Sequence, residues 1–148
     1  MHMRVPDTFY MMGYQPVDAD KLGNTLQTVA AWRTIKGNVW VLTLAQESYN
    51  EPLEHWETAF ENEVRQQEDG VFISKKERMA LQNGMPAYFI GMTFGSGFDS
   101  RKQYALIWAD GERGVALEMT GRVGEIGDDD AKKAFGDITA VAYPAQQP

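Results

Sequence analysis

The chain contains no cysteine. Disulfides, thiolate nucleophiles and cysteine-based zinc sites are therefore excluded, while the same absence suits reducing and oxidising compartments alike. Long apolar runs are missing too, none approaching the roughly 20 residues a membrane-spanning helix needs, so no span is expected. The opening residues Met1-His2-Met3-Arg4-Val5-Pro6 lack the apolar stretch of an export signal. Two locations stay in reach, the cytoplasm or an exported site with the signal already removed. Positive charge is short, because 14 Lys and Arg stand against 21 Asp and Glu for a net charge of -7, and the cations are scattered rather than striped. Such a field repels phosphate, and a nucleic-acid partner is not expected.

What is present suits one folded domain. In 148 residues, 43% are hydrophobic and 4 Trp, 7 Phe and 6 Tyr supply the bulk for a single core. Residues 1–144 are read as that domain, with Ala145-Gln146-Gln147-Pro148 as a frayed tail.

Residues 26–36 and 39–45 are rich in β-branched and aromatic side chains and read as strands, joined at Gly37-Asn38 in a hairpin. A helix follows, with Ser48 or Asn50 as cap and Pro52 in its first turn. Leu53, Trp56, Phe60 and Val64 make its apolar stripe, while Glu57, Glu61, Glu63 and Arg65 are expected to face water. Gly70 stops it. Strands are expected over 71–81 and 85–94, turning at Asn83-Gly84, then over 103–109 and 114–120, turning at Asp110-Gly111. Asp128, Asp129 and Asp130 open a last helix whose apolar positions are Ala131, Ala134, Phe135, Ile138 and Val141. The pattern predicts an α+β domain of about six strands in the order β-β-α-β-β-β-β-α, and the hairpins make its sheet mostly antiparallel.

No catalytic set stands out. Gly95-Ser96-Gly97 joins two strands rather than a strand to a helix, and Gly121, Gly124 and Gly127 precede three aspartates that would repel an anion. The aspartates, and the Asp18/Asp20 pair, read as helix capping and turn residues rather than a metal site, since Leu22 and Val29 occupy positions where a calcium loop needs oxygen. His55 lies off the apolar stripe with Glu51 four residues before it, an exposed ion pair, and Glu118 falls on the solvent side of its strand by alternation. No metal or cofactor is expected.

The late strands carry more apolar residues than one covered face requires. Tyr104, Leu106 and Trp108 alternate with Ala105 and Ile107, and Tyr88, Ile90, Met92 and Phe94 alternate with Ala87 and Phe89. Core packing accounts for most of this. An uncovered remainder would make a binding surface, for which Tyr88, Met92, Tyr104 and Trp108 are the candidates. Met11, Met12 and Tyr14 near the start read as a cover for that face or as adaptable contacts.

Pro6-Asp7-Thr8-Phe9, the helix around Pro52-Leu53-Glu54, the segment Asn83-Gly84-Met85-Pro86-Ala87-Tyr88, and the closing helix with Phe135, Ile138 and Val141 resemble the PsbP-like superfamily. That superfamily includes photosystem II accessory proteins, a Ran-binding import factor, bacterial DcrB-like proteins and effector chaperones. The resemblance implies an α/β/α sandwich around an antiparallel sheet and a protein that binds proteins rather than catalysing. It maps no functional residue onto this chain. The expected function is thus a non-enzymatic accessory or chaperone-like domain, bacterial, with a protein partner of unspecified identity. The alternative is a small-ligand binder or hydrolase with an aromatic-lined pocket. An unpaired edge strand would be a route to a homodimer.

Overall fold

The computed structural model describes residues 9–14, 27–34, 41–48, 52–95, 100–109, 113–124 and 127–142, the first three segments and the end of the last helix by their backbone. Strands β1 (Phe9–Tyr14), β2 (Gln27–Thr34) and β3 (Val41–Ser48) come first. Helix α1 (Leu53–Gln67) follows, then β4 (Phe72–Ala80), β5 (Pro86–Phe94), β6 (Arg101–Ala109), β7 (Arg113–Arg122) and α2 (Asp128–Ala142). The sheet has seven strands in the order β1-β2-β3-β7-β6-β5-β4, with every neighbouring pair antiparallel.

The expected α+β composition and antiparallel pairing are present, but strand number and order differ from expectation. The extra strand is β1, which contains Met11, Met12 and Tyr14. Six residues interrupted by Gly13 give little local signal, and pairing with β2 decides their state, with a bulge between Met11 and Gly13. The β2–β3 pair is the first expected hairpin, and its Gly37-Asn38 turn lies outside the described residues.

Helix α1 buries the predicted stripe Leu53, Trp56, Phe60 and Val64. Its start differs from expectation. Ser48 ends β3, Asn50 lies outside the described residues, and Pro52 occupies the N-cap with no side-chain bond, its carbonyl accepting from the backbone N–H of His55 (3.0 Å) and Trp56 (3.2 Å). Asp69 ties the far end to the sheet, its carbonyl accepting from Gly95 N–H at 3.1 Å.

The β4–β5 turn has the chemistry its sequence announces. Gly84 takes a φ of 89°, donates to the Leu81 carbonyl, and Asn83 Oδ1 accepts from Met85 N–H. At α2, Asp130 Oδ2 accepts from Gly127 N–H at 3.0 Å while the Gly127 carbonyl accepts from Ala131, a reciprocal closure of the helix start.

Alternation along the strands sorts the apolar residues into two cores. Ala87, Phe89, Tyr104, Leu106, Trp108, Val115, Leu117 and Met119 pack with Ala131, Phe135 and Ile138 of α2. On the other face Ile90, Met92, Phe94, Ala105, Ile107 and Ala116 pack with Leu53, Trp56, Phe60 and Val64 of α1. The sheet therefore lies between the two helices, which is why β5, β6 and β7 are apolar on both faces.

Candidate functional site

Tyr88, Met92, Tyr104 and Trp108, the four residues expected to form one surface, divide between the two faces. Tyr88 and Met92 belong to the α1 side, Tyr104 and Trp108 to the α2 side. Met92 and Trp108 are fully buried and Tyr104 nearly so, which gives all three a packing role. Tyr88 is half-buried, with the guanidinium of Arg78 5.9 Å from its ring centroid. Tyr104 stacks on Phe89 at 5.5 Å between centroids. Burial pushes its hydroxyl pKa up, and the neighbouring Asp128 carboxylate, with which it hydrogen-bonds, adds to the shift.

Two exposed apolar side chains do share one end of the sheet. Phe72 is 66% exposed and Val123 54%. Phe72 begins β4 opposite Thr93, Thr93 faces Lys102, and Lys102 faces Gly121, the row ending two residues before Val123, which lies in the turn that follows β7. In the adjoining row Arg101 and Arg122 stand directly opposite each other, both exposed. This end was not legible beforehand. Phe72 takes an exposed place in the same alternation as the rest of β4, and which face of that strand is left uncovered is decided by the packing of the whole sheet.

The buried polar chemistry lies on the α1 side. Glu57 was expected in water but is 6% exposed, because Lys76 on β4 reaches it at 3.2 Å and Glu61 at 3.0 Å and supplies the charge that lets the carboxyls approach the sheet. Burial raises the Glu57 pKa to about 7, with Glu61 adding to the rise and Lys76 opposing it. Burial also pulls Glu61 upward, but hydrogen bonds from Glu57 and Lys76 outweigh it and hold Glu61 below the usual carboxylate range. Glu57 therefore keeps its proton to higher pH than Glu61 does.

Glu118 also departs from expectation. It lies on the α1 side of β7, opposite Ala105 and Thr43 on the neighbouring strands, only partly accessible rather than solvent-facing. Burial raises its pKa to about 7, against the amide of Gln103, which hydrogen-bonds to its carboxylate. His55 is on the exposed side of α1, and its suggested partner Glu51 lies outside the described residues. The opening aspartates of α2 serve separate purposes: Asp128 accepts from Lys75 Nζ at 2.7 Å, while Asp130 closes the helix start. Among the described residues no group of three His, Asp or Glu is placed to hold a metal ion. Ser96 and Gly97 of the glycine loop, and Asp18 with Asp20, lie outside them. No helix among the described residues is long and apolar enough to cross a membrane.

A partly open cavity of about 140 Å³ lies between α2 and the root of the β4–β5 hairpin, walled by Met79, Leu81, Phe89, Leu106 and Phe135.

No protein-family model matches the chain, and no curated protein matches it in sequence. Solved structures do match in fold. A Pseudomonas aeruginosa protein of unknown function, PA94, superposes with a TM-score of 0.60 at 8% identity, covering 100% of this chain and 99% of its own. Cyanobacterial PsbP (CyanoP) from Synechocystis sp. PCC 6803 gives 0.56 at 11% identity, over 92% of this chain and 81% of its own. LpqN of Mycobacterium tuberculosis, involved in cell envelope biogenesis, gives 0.50 at 12% identity, over 99% and 80%. At such identities the likeness speaks for architecture alone. An antiparallel sheet between two helices, shared with CyanoP across most of both chains, gives this chain a PsbP-like fold.

Proposed function

We propose that this chain is a single non-enzymatic accessory domain that binds another protein through the end of its sheet. The observation that carries the reading is the exposure of Phe72 at 66% and Val123 at 54% on that one end, beside the paired Arg101 and Arg122. Exposed aromatic and aliphatic groups rimmed by arginine are the composition of a contact surface, since the apolar groups gain from leaving water and the guanidiniums select an acidic rim. Tyr88, half-buried beneath Arg78, is a second accessible aromatic on this chain. The fold adds support, because LpqN, which shares it, is involved in cell envelope biogenesis. The partner is a protein with an apolar, acid-rimmed patch, and a second copy of the chain is one form it can take.

The test is affinity capture from the native host with cross-linking and mass spectrometry, comparing wild type with a Phe72→Ser, Val123→Ser double variant. Both side chains are exposed, so the variant is expected to fold. A protein enriched by wild type and lost by the folded variant supports the reading. Equal capture by both places the contact elsewhere and overturns it. Trp108→Ala and Met92→Ala are unsuitable for this purpose because they remove core.

A further inference from the structure

We infer that the cavity between α2 and the β4–β5 hairpin is a binding site for a small uncharged apolar molecule of about one aromatic ring. It lies at the opposite end of β4 from Phe72, so it is independent of the protein contact proposed above. Size sets the first limit. A space of about 140 Å³ is close to the roughly 150 Å³ apolar cavity that stays dry and takes benzene or xenon. The walls set the chemistry: Met79, Leu81, Phe89, Leu106 and Phe135 present thioether, aliphatic and aromatic surface, which favours an apolar guest by removing its surface from water.

Of the polar side chains at the rim, Gln82 is uncharged, and Lys132 and Thr139 already have partners. Lys132 Nζ donates to Glu77 Oε1 at 3.1 Å and stands 5.2 Å from the centroid of the Phe89 ring. Its charge is thereby balanced, so the mouth does not call for an anion. Thr139 Oγ1 donates its proton to the Phe135 carbonyl at 2.8 Å, which leaves it no donor for a guest. A charged ligand would lose hydration with no free counter-group to replace it.

Gly136 points the same way. It lies within α2, one turn from Lys132, where glycine weakens a helix. Its φ is not positive, and a Cβ built on it would meet nothing within 4 Å, so neither backbone conformation nor close packing demands glycine. What the missing side chain does is leave the cavity mouth open, since Gly136 is part of its lining.

Gly136→Leu should close the mouth without harming the fold, because leucine is the better helix former and its Cβ meets nothing within 4 Å. Benzene would be titrated into wild type and Gly136→Leu, with the methyl resonances of Met79, Leu81 and Leu106 followed by NMR, and both proteins melted beforehand. The expected result is saturable one-to-one binding by wild type, weakened at least tenfold in Gly136→Leu, whose melting temperature is equal or higher. Binding that is absent at the solubility limit of benzene, or unaffected by Gly136→Leu, overturns the inference. A crystal of the wild type under xenon gives a reading that needs no variant: xenon among Met79, Phe89, Leu106 and Phe135 supports the site, and its absence there overturns it.

Discussion

The indole of Trp56 lies over Gly114, so closely that a Cβ built on the glycine would stand 2.6 Å from two of the ring carbons. The same indole donates its Nε1–H to the Val115 carbonyl at 3.3 Å. One tryptophan thereby fixes α1 against β7 by contact and by hydrogen bond, and a glycine on the strand makes the approach possible. Gly114→Ala is expected to lower stability by about 1 to 3 kcal/mol through overpacking, read as a reduced urea midpoint with an unchanged slope. An unchanged midpoint would mean that the indole is not held on the strand.

Stability should fall as pH rises from about 4.5 to 7. Glu57 and Glu118 lose their protons near 4.5 when unfolded but hold them to about 7 when folded, so the folded state binds more protons between those values. Their stabilising contribution is complete below the unfolded value and is lost as pH passes the folded one. Each takes up to roughly 3 kcal/mol out of folding across that window, less where water reaches the carboxyl. Glu118→Gln should flatten the fall in urea midpoint between pH 5 and pH 8. A slope matching wild type would show that Glu118 is well solvated.

Lys76 faces both Glu57 and Glu61. Lys76→Met leaves two carboxyls with one fewer counter-charge, so the pair should hold its proton more tightly. The variant is expected to lose more stability at pH 8 than at pH 5, and a loss independent of pH would show that Lys76 does not hold the two carboxyls' charge in check.

Phe135 and Phe72 offer a comparison between identical side chains in opposite surroundings. Phe135 is 1% exposed and meets Phe89 edge-on at 6.3 Å, whereas Phe72 is 66% exposed. Phe135→Ala should cost about 3 to 5 kcal/mol and Phe72→Ala less than about 0.5 kcal/mol, measured by denaturant unfolding. A large cost at Phe72 would mean that it packs within the fold and is not held for a partner.

Local signals were reliable where the physics was local. The 53-56-60-64 stripe of α1, the Asn83-Gly84 turn and the acidic start of α2 were legible because spacing and turn chemistry act over a few residues. Strand β1 was missed because its pairing partner lies on another segment. Glu57 and Glu118 were assigned to water because their burial depends on groups distant in sequence, Lys76 on β4 for one and the neighbouring strands β3 and β6 for the other.

The candidate surface divided in the same way. Alternation in β5 and β6 correctly announced a sheet apolar on both faces, but alternation does not say which apolar residues are covered. Two helices on opposite sides bury Met92, Tyr104 and Trp108, and Phe72 and Val123 come to the same end of the sheet only because β4, β5, β6 and β7 lie side by side.

By itself, then, the sequence determined the class of the fold, since periodicity, turn residues and capping act within a few residues of where they are written. The joining of β3 to β7, the order of the sheet, the buried carboxyls, the exposed end and the cavity beside Gly136 were decided by tertiary structure. Each depends on side chains far apart in the chain, whose meeting is governed by long-range pairing and packing.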